Sequence, residues 1–489
     1  MLSLQLSKIL GELFIERHGL IRKLNGRISC DSREVLPGGI FVAIKGVNVD
    51  GHKFIPEVLK SHVSVIVHED ELTCYPAGTT FLKVTDSRRA YARLIRASYQ
   101  YPDEIIKLIG VTGTNGKTTT VFLLQHIFDY AKVDCGLIST VEYRDGKTFK
   151  PSTQTTPNAD VFFPMLDAMR SNGMKAVAME LSSHALEQSR TDGARFRSAI
   201  FTNLTGDHLD YHDTMENYYQ TKKLLFSRHL DLEGTAIINI DDEAGLRLRR
   251  EVTGRHVISF GVNVAADWRI ANVELKDNGS SFDLVGENLT IPIKSHMIGM
   301  HNVYNLTGAI LAALDYGISV QNITEALQEN FYIPGRLECH KTVKSAEFFV
   351  DYAHTDDALK RALECLKPIT QGKLITVFGA GGNRDKSKRA RMGEVASSLS
   401  DMVILTNDNP RFEDPLEIIN DISKGISANI PVEIILDRKE AILQACKIAQ
   451  KGDVVLIAGK GHEKYQEMQG EMHAFNDGAI IDEFLALQK

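Results

Sequence analysis

The stretch LIGVTGTNGKTTT, from Leu108 to Thr120, combines an apolar strand, a glycine-rich turn and the first residues of a helix. Backbone N–H groups of such a turn and the positive end of the helix bind phosphate oxygens. In this pattern Lys117 reaches the terminal phosphates of ATP, and the hydroxyl of Thr118 binds Mg²⁺. The predicted phosphate site comprises Gly113, Thr114, Asn115, Gly116, Lys117, Thr118 and Thr119.

The glycine spacing of this turn differs from the strict Walker motif. That motif has glycine where this chain has Val111, whereas the glycines here are Gly110 and Gly113. A tight turn that needs glycine only for its backbone is the alternative interpretation. Because the strand, the GKT sequence and the helix are in register, we favour an ATP site.

The same alternation of apolar runs and helical patterns continues on both sides of this stretch. AVAMELSS precedes HALEQS, AIFTNLTGDH precedes YYQTKKLLF, and a second series follows PGRLE with FFVDYAH, KLITVFGAGG and VILTNDNPR. Such alternation predicts parallel sheets with helices on their faces. The first hundred residues instead mix short strand patterns with turn clusters.

We therefore predict an α/β protein of three domains, since 489 residues exceed one hydrophobic core. Residues 1–103 form a mixed α/β N-terminal domain. Residues 104–332 form a central P-loop domain with a parallel sheet, and residues 333–489 form a Rossmann-like C-terminal domain.

Composition and charge limit the classes of partner. The net charge is -7 and no long basic run occurs, which disfavours nucleic acid and anionic membranes. The six cysteines are scattered without a CxxC pair, as in a reducing compartment. The N-terminal sequence lacks the continuous apolar core of a signal peptide, and no apolar run is long enough to span a bilayer. We expect a soluble, cytoplasmic monomer.

Two polar residues follow strands that neighbour the phosphate turn in the predicted sheet. Glu180 ends the AVAME strand, and His208 follows the next one. Ligands of open parallel sheets bind beyond the carboxyl ends of the strands, so both side chains could reach a cation there. A helix-start carboxylate and an ordinary loop histidine are the alternatives. A hydrolytic metal centre of Asp207, His208, Asp210 and His212 is another, on a spacing that is common.

The turn TGTNGKTT resembles that of the Mur ligases and of their relatives, the folylpolyglutamate synthetases, and the resemblance extends over essentially the whole chain. It implies that Lys222, four residues after Tyr218, carries a carbamate that helps to hold a second Mg²⁺. The adjacent Lys223 leaves some ambiguity, and a solvated lysine is the alternative on sequence alone. The implied metal ligands are Thr118, Glu180, His208 and carbamylated Lys222.

The resemblance also implies where the nucleotide binds. GMHNVYN supplies Asn302 and Asn305 on the adenine side, PGRLE supplies Arg336, and VDYAH supplies Asp351 and His354. The last three close over the nucleotide when the C-terminal domain docks. Which group removes the proton from the attacking amine is open, with His354 as a candidate because histidine titrates near neutral pH. The implied catalytic residues are Lys117, Lys222, His208 and His354.

A UDP-muramoyl-dipeptide site is implied by CDSREVLPGGIFVAIKGVNVDGH and by two later motifs, TTP and HALEQSR. Each is a plain loop with a capping residue if taken singly. The implied contacts are Cys30, Ser32, Val47, Asn48, Val49, Thr155, Thr156, Ser182, Gln188 and Arg190.

The motif DNPRFEDP, from Asp408 to Pro415, indicates the incoming amino acid. In the family, DNPR marks ligases that add meso-diaminopimelate, whose extra carboxylate distinguishes it from lysine. A guanidinium binds a carboxylate with two hydrogen bonds, and its isolation in a closed pocket is costly. A surface ion pair of Arg411 with Glu413 or Asp414 is the alternative. The implied amino-acid site comprises Arg384, Asp408, Asn409, Pro410, Arg411, Gly459 and Glu463.

The activity implied by the resemblance is ATP-dependent amide-bond formation in peptidoglycan synthesis. It adds meso-2,6-diaminopimelate to UDP-N-acetylmuramoyl-L-alanyl-D-glutamate through an acyl phosphate, with two Mg²⁺ ions. The rival hypotheses are a ligase that adds lysine or glutamate, a P-loop ATPase that drives motion or transport, and a nucleotide-binding regulator without turnover.

Overall fold

The computed structural model describes residues 6–20, 26–46, 49–263, 265–276, 278–340 and 346–487. Three sheets with flanking helices succeed one another along the chain, which confirms the predicted α/β fold class. The boundaries near residues 103 and 333 stay predictions.

The first sheet has the strand order β1-β5-β4-β3-β2, with only the β1–β5 pair antiparallel among the described residues. The short strand patterns of this region, GIFVAI, VSVIV and TTFLKV, overlap β3, β4 and β5. The elements are α1 (Leu6–Leu10), β1 (Phe14–His18), β2 (Ile28–Ser29), β3 (Ile40–Val42), α2 (Ile55–Val58), β4 (Val65–His68), β5 (Thr80–Val84) and α3 (Ser87–Ser98).

The second sheet has the order β16-β15-β14-β13-β12-β11-β6-β10-β7-β8-β9. Seven neighbouring strands, in the order β14-β13-β12-β11-β6-β10-β7, are parallel, while β8, β9, β15 and β16 at the two edges pair antiparallel. The strands are β6 (Lys107–Thr112), β7 (Cys135–Ile138), β8 (Glu142–Arg144), β9 (Phe149–Pro151), β10 (Ala176–Glu180), β11 (Phe196–Phe201), β12 (Leu230–Asn239), β13 (His256–Gly261), β14 (Trp268–Lys276), β15 (Gly279–Val285) and β16 (Thr290–Ser295).

Helices cover both faces of this sheet, so β6, β10 and β11 are almost wholly buried. Burial on both faces explains why these strands read as continuous apolar runs rather than alternating patterns. The helices are α4 (Lys117–Tyr130), α5 (Ala159–Ser171), α6 (Ser183–Glu187), α7 (Leu209–His212), α8 (Met215–Leu224), α9 (Glu243–Glu251), α10 (Met300–Tyr316) and α11 (Val320–Ala326).

The third sheet has the order β17-β18-β22-β19-β20-β21 and is parallel except for β17, followed by the hairpin β23–β24. The elements are β17 (Glu338–His340), β18 (Glu347–Asp351), α12 (Asp356–Leu366), β19 (Leu374–Phe378), α13 (Ser387–Leu399), β20 (Met402–Leu405), α14 (Pro415–Ser423), β21 (Val432–Ile434), α15 (Arg438–Ile448), β22 (Val454–Ala458), β23 (Tyr465–Met468), β24 (Glu471–Ala474) and α16 (Asp477–Ala486).

The carboxyl ends of the central strands of the second and third sheets face each other. Asn115 Nδ2 donates to Asp357 Oδ2 at 2.7 Å, and Arg336 Nη2 donates to Thr118 Oγ1 at 2.8 Å. Both contacts join the phosphate turn to residues of the third sheet's region. Parallel strands collect their loops at one edge, so two sets of loops meet in one cleft.

Candidate active site

The phosphate turn lies between β6 and α4 and is packed closely against the neighbouring loops. Gly113 and Gly116 both have positive φ, of 149° and 86°. A Cβ at Gly113 would collide with Oγ1 of Thr202, and a Cβ at Gly116 would collide with Oδ1 of Asn305. These glycines are therefore required by conformation and by space.

Two lysines converge on the carbonyl oxygen of Gly113. Lys117 Nζ donates to it at 3.0 Å and to the Thr114 carbonyl at 2.8 Å, and Lys222 Nζ donates to it at 2.8 Å. Lys222 is 1% exposed and its Nζ lies 4.4 Å from the ring centroid of Tyr218. Burial, and next the charge of Lys117, lower the pKa of Lys222 well below its ordinary value. The solvated-lysine alternative for Lys222 does not fit this geometry.

Lys223 points away from the cleft. Its Nζ forms an ion pair with Glu251 at 2.8 Å, with about a quarter of the side chain exposed. The inward-facing lysine of the pair is therefore Lys222, as the spacing from Tyr218 predicts.

Glu180 is fully buried at the end of β10, beside the phosphate turn. Its Oε1 accepts from the Thr140 backbone N–H at 2.8 Å and its Oε2 from the Thr140 hydroxyl at 3.2 Å. Each oxygen thus keeps lone-pair capacity. Burial lowers the pKa of Lys117, and the charge of Glu180 acts in the opposite direction.

His208 follows β11, next to the buried Asp207. The two side chains approach to 3.4 Å, and burial lowers the pKa of His208. His212 Nε2 instead bonds to the Ser183 hydroxyl at 2.9 Å. In the described part of the chain, the set Asp207, His208, Asp210 and His212 does not converge; the one such group with ligand atoms within 4.8 Å of one another is Asp50, His52 and Asp70. The geometry gives the hydrolytic-centre alternative no support.

A cavity of about 220 Å³ lies beside the phosphate turn, between the second and third sheets. Eight predicted nucleotide contacts line it, namely Asn115, Gly116, Thr118, Thr119, Asn302, Asn305, Arg336 and Asp351. The side chains of Asn302 and Asn305 bond to each other at 3.2 Å on α10. Sequence reasoning missed further lining residues, among them Asp241 and Tyr304, which share a hydrogen bond of 2.7 Å. Tyr304 lies within the GMHNVYN motif, three residues after His301, which also lines the cavity. This spacing of about one helical turn could have indicated from the sequence that Tyr304 faces the same cavity.

Three residues around the first two strands of the third sheet reach this cleft: Arg336 before β17, Asp351 at the end of β18 and His354 just after it. Besides its bond to Thr118, Arg336 has its guanidinium 4.8 Å from the ring centroid of Tyr352. Asp351 accepts from the backbone N–H groups of Leu337 and Ala353 at 2.7 and 2.8 Å. Nε2 of His354 lies 4.0 Å from Asp207, and loss of hydration lowers the pKa of His354 to about 4. A neutral imidazole can accept a proton at pH 7.

The predicted dipeptide contacts of the second sheet form one hydrogen-bond network. Thr155 accepts from the Thr140 hydroxyl at 3.1 Å, and Thr156 bonds to the Glu180 carbonyl at 2.8 Å and to the Ser182 N–H at 3.1 Å. Arg190 donates to Gln188 Oε1 at 2.8 Å and to the Thr156 carbonyl at 2.8 Å. These residues therefore reach the same edge as Glu180, which sequence order alone does not require.

The N-terminal candidates are less tightly connected to the cleft. Cys30 is exposed, Ser32 begins a short 3₁₀ turn, and Val49 is exposed. Val47 and Asn48 lie outside the described residues.

Arg411 is held by a distant segment rather than by its sequence neighbours. Its Nε donates to Glu467 Oε2 at 2.9 Å and its Nη1 to the Gly382 carbonyl at 2.8 Å. Glu413 is engaged by Arg389 at 3.0 Å. Pairing of Arg411 with Glu413 or Asp414, the alternative weighed from sequence, is thus absent from the described contacts. Arg411 also has a φ of 53°, a left-handed conformation that non-glycine residues adopt at a cost.

The residues around Arg411 form a hydrogen-bonded polar cluster. Asn409 Oδ1 accepts from Lys460 Nζ and from the Glu467 N–H, both at 2.9 Å, while Asn409 Nδ2 donates to Glu463 at 2.9 Å. Both lone pairs of the Asn409 Oδ1 are therefore occupied by donors of the chain itself. Asp408 Oδ2 is buried and has no hydrogen-bond partner among the described residues.

The remaining candidates lie around this cluster. A Cβ at Gly459, which has a φ of 116°, would meet Asp408 Oδ2 at 2.5 Å. Arg384 is exposed. Burial and then the charges of His212 and Arg190 lower the pKa of His184, and the charge of Arg384 adds the smallest contribution in the same direction. Pro410 precedes Arg411, and its carbonyl accepts from the Glu413 N–H at 3.0 Å. Sequence reasoning missed Lys460 and Glu467; Lys460 lies within the GKGHE motif, whereas no local pattern marks Glu467.

The fold and the cleft together define a P-loop α/β protein with two facing sets of loops, and comparison with known families identifies it further. Residues 26–99 match the model "Mur ligase family, catalytic domain", residues 111–313 match "Mur ligase middle domain", and residues 335–461 match "Mur ligase, glutamate ligase domain". The chain belongs to the Mur ligase family.

Within this family the chain is similar to 2,6-diaminopimelate ligases. It is 39% identical over 485 residues to UDP-N-acetylmuramoyl-L-alanyl-D-glutamate--2,6-diaminopimelate ligase of Geobacter sulfurreducens, covering 94% of each chain. It is 40% identical over 475 residues to the Aquifex aeolicus protein of that name, covering 97% of this chain and 96% of the relative. A solved structure of a ligase with the same name has a TM-score of 0.67 at 32% identity and covers 94% of each chain.

In the part of the chain that the structure describes, no helix combines the length and the apolar character that crossing a bilayer requires.

Proposed function

We propose that this chain adds meso-2,6-diaminopimelate to UDP-N-acetylmuramoyl-L-alanyl-D-glutamate with hydrolysis of ATP to ADP and phosphate. The observation that carries the proposal is the DNPR motif, in which Arg411 follows, three residues on, the buried Asp408 whose Oδ2 has no hydrogen-bond partner among the described residues. The far end of diaminopimelate bears one carboxylate and one ammonium group. A cation and an anion on one loop complement that end, whereas the far end of lysine offers only the ammonium.

The proposed roles of the three regions follow from the same residues. Residues 1–103 bind the uridine end, residues 104–332 bind ATP and the dipeptide, and residues 333–489 bind the incoming amino acid. The orientation of Arg411 supports the last assignment. Among the described residues, Nη2 of Arg411 has no hydrogen-bond partner, so it is available to a substrate carboxylate.

The first chemical step transfers the γ-phosphoryl group of ATP to a carboxylate oxygen of the D-glutamyl residue. A new O–P bond forms, the bond to the β-phosphate oxygen breaks, and ADP leaves. Both reactants are anions, so positioning and cationic groups supply most of the catalysis. Lys117 is suited to this role, because ATP phosphates can replace the carbonyl oxygens that its Nζ now contacts.

The residues present fit a Mg²⁺ ion bound to the triphosphate. Mg²⁺ prefers oxygen ligands and usually combines one or two protein oxygens with phosphates and water. The Thr118 hydroxyl, the buried Glu180 carboxylate and His208 would hold such ions, and Glu180 retains the lone pairs needed. When bound, Mg²⁺ neutralises charge on the transferred phosphoryl group.

Lys222 is chemically suited to carbamylation. Only a neutral amine attacks CO₂, and burial lowers the pKa of Lys222 well below its ordinary value, which favours the neutral form. The ammonium group first loses one proton to give the neutral amine; a C–N bond then forms with CO₂ and a second proton leaves, so an otherwise cationic side chain becomes an anionic one. That anion would face the Gly113 carbonyl and Lys117, on the side of the turn where cations are needed.

In the second step the amine of diaminopimelate attacks the acyl carbon, the amide bond forms, and inorganic phosphate leaves with the electrons of the C–O bond. From ammonium to amide the attacking nitrogen loses two protons and keeps one. His354 is neutral at pH 7 and lies on the C-terminal side of the cleft, so we assign it as the acceptor of one of them.

The test is release of ADP by the purified chain with ATP, Mg²⁺ and the UDP-linked dipeptide, comparing diaminopimelate with lysine. We expect sustained ADP release with diaminopimelate and at least ~100-fold lower kcat/KM with lysine. Equal use of lysine would contradict the assigned substrate. Sustained ADP release without any amine would instead favour a P-loop ATPase. Cytoplasmic location and a monomeric state remain predictions.

A further inference from the structure

Lys388 is a buried lysine in the cleft that no step above uses. It is the second residue of α13 and is 8% exposed. Its Nζ lies 3.9 Å from Oδ1 of Asp207, which follows β11 on the opposite side of the cleft. No hydrogen bond of Lys388 Nζ occurs within the described residues, and Nζ is not among the fully buried unpartnered atoms there, so its three N–H donors are open to a ligand in the cleft.

The other buried cations differ from Lys388 in this respect. Arg438 donates twice to Asp477 at 2.8 Å, and Lys460 donates to Asn409 and Glu463 at 2.9 and 2.8 Å. Buried charges are normally paired through direct hydrogen bonds, since the loss of hydration is costly. Six lysines and arginines are buried in the described residues, namely Arg96, Lys222, Lys388, Arg389, Arg438 and Lys460. Among these six, Lys388 is the one whose side chain makes no hydrogen bond to the described residues.

The space that Lys388 faces is where the proposed phosphoryl transfer takes place. Asp207 approaches His208 and His354 at 3.4 and 4.0 Å, and its charge acts on both lysines at the phosphate turn, Lys117 and Lys222. Asp207 is therefore a fixed anion between the phosphate turn and α13. A contact at 3.9 Å without hydrogen-bond geometry holds Lys388 loosely and leaves its donors available.

We propose that Lys388 is a catalytic residue that donates hydrogen bonds to the phosphoryl group as it passes from ATP to the glutamyl carboxylate. The inference rests on the proposed function and deepens it. Lys117 contacts that group from the side of the phosphate turn, and Lys388 contacts it from the opposite side of the cleft. Two cations on opposite sides stabilise charge that is spread over the phosphoryl oxygens.

This placement also couples chemistry to the position of the C-terminal region. Lys388 belongs to α13, which follows β19 of the third sheet, so the ammonium group reaches the phosphoryl group only when that region is docked on the phosphate turn. A catalytic site completed by docking limits hydrolysis of ATP while the cleft is open.

The experiment compares Lys388→Met, Lys388→Arg and a matched control, Lys424→Ala, in the full-length chain. Lys424 lies directly after α14 and is largely exposed, and among the described residues its ammonium group pairs only with Asp421, so its removal leaves the cleft unchanged. Methionine keeps most of the apolar stem and preserves folding, which thermal unfolding verifies. The assays are steady-state ligation and the ADP burst in a single turnover with ATP and the UDP-linked dipeptide but no diaminopimelate.

We expect Lys388→Met to lower kcat and the burst rate by roughly 100-fold, with each KM changed by less than about threefold. Lys388→Arg should retain more of the burst rate than Lys388→Met, because it keeps the charge. A burst rate of Lys388→Met within about threefold of the wild type, or a change confined to the KM for diaminopimelate, would overturn the inference. If the wild-type chain itself releases no ADP with the dipeptide, the proposed function fails and this inference fails with it.

Discussion

The phosphate turn and the DNPR loop both follow apolar strands of parallel sheets, yet they are held in different ways. The turn from Gly113 to Gly116 is fixed mainly by its own glycines and by the adjacent loops after β11. The DNPR loop is fixed by β23, whose Glu467 bonds to Arg411 through both backbone and side chain. The phosphate-binding groups of the turn come from consecutive residues, whereas Arg411 and the Glu467 that holds it are 56 residues apart.

The two sites should therefore differ in how much activity is lost when a residue is substituted. Transfer from ATP is the same whichever amino acid is added, and the side chains around the phosphate turn, such as Glu180 and Lys222, are buried and closely packed. Selection of the amino acid depends on a few charged side chains at a pocket wall, and those are one fifth exposed in the case of Arg411 and Glu467. We therefore expect large, general losses from changes at the phosphate turn and smaller, substrate-specific losses at the DNPR pocket.

The largest effect should come from Lys222→Ala, which removes the amine that would carry the carbamate. We expect activity to fall by about 100-fold or more, with partial recovery in added short carboxylates, because those can occupy the vacated anionic position. The measurement is ADP release with and without added acetate. Lys223→Ala is the matched control and should remain active, since Lys223 pairs with Glu251 away from the cleft. A fully active Lys222→Ala variant would remove this lysine from the site.

Removal of divalent metal should be nearly as severe. With excess chelator we expect ADP formation to stop, since two anions must otherwise meet without neutralisation. Adding back Mg²⁺ should restore it, and an assay of ADP during a chelator titration measures both. Undiminished turnover in chelator would refute the assignment of Glu180 and His208 as metal ligands.

An intermediate and selective effect is expected for Arg411→Ala. Loss of a charge-assisted contact of 1.5–3 kcal/mol corresponds to roughly a 10- to 100-fold rise in the KM for diaminopimelate. The dissociation constant of ADP should be unchanged, because Arg411 does not line the nucleotide cavity. Phe412→Ala provides the control, since the Phe412 side chain is two thirds exposed. Unchanged kinetics for Arg411→Ala would exclude it from the amino-acid site.

The smallest effect should come from Glu467, which orients Arg411 without being assigned a substrate contact. We expect Glu467→Ala to raise the KM for diaminopimelate by about fivefold, the loss of one hydrogen bond of about 1 kcal/mol. Glu467→Gln should be closer to the wild type, since an amide oxygen still accepts from Nε. Steady-state kinetics with both variants measures this. A Glu467→Ala effect equal to that of Arg411→Ala would mean that Glu467 itself binds the substrate.

Much of the fold was predictable because its signals are local. Each strand of the central sheet is a continuous apolar run that ends in a glycine or polar residue, and α8 carries Tyr218 and Lys222 one turn apart on a buried face. The family resemblance added the candidate residues on α10 and in the third sheet's region. By contrast, the contacts of Asn409 with Lys460 and with the Glu467 N–H join residues 51 and 58 positions apart, and no local pattern predicts them.

The sequence alone determined the α/β class, the phosphate turn and the order of the polar loops, since these depend on propensity, glycine conformation and hydrophobic period over short windows. The tertiary structure alone decided that Glu467 meets Arg411, that Lys222 Nζ meets the Gly113 carbonyl, and that Lys388 faces Asp207. Those pairings join residues far apart in the chain, and their distances depend on sheet topology and on the packing of one region against another, which no local pattern encodes.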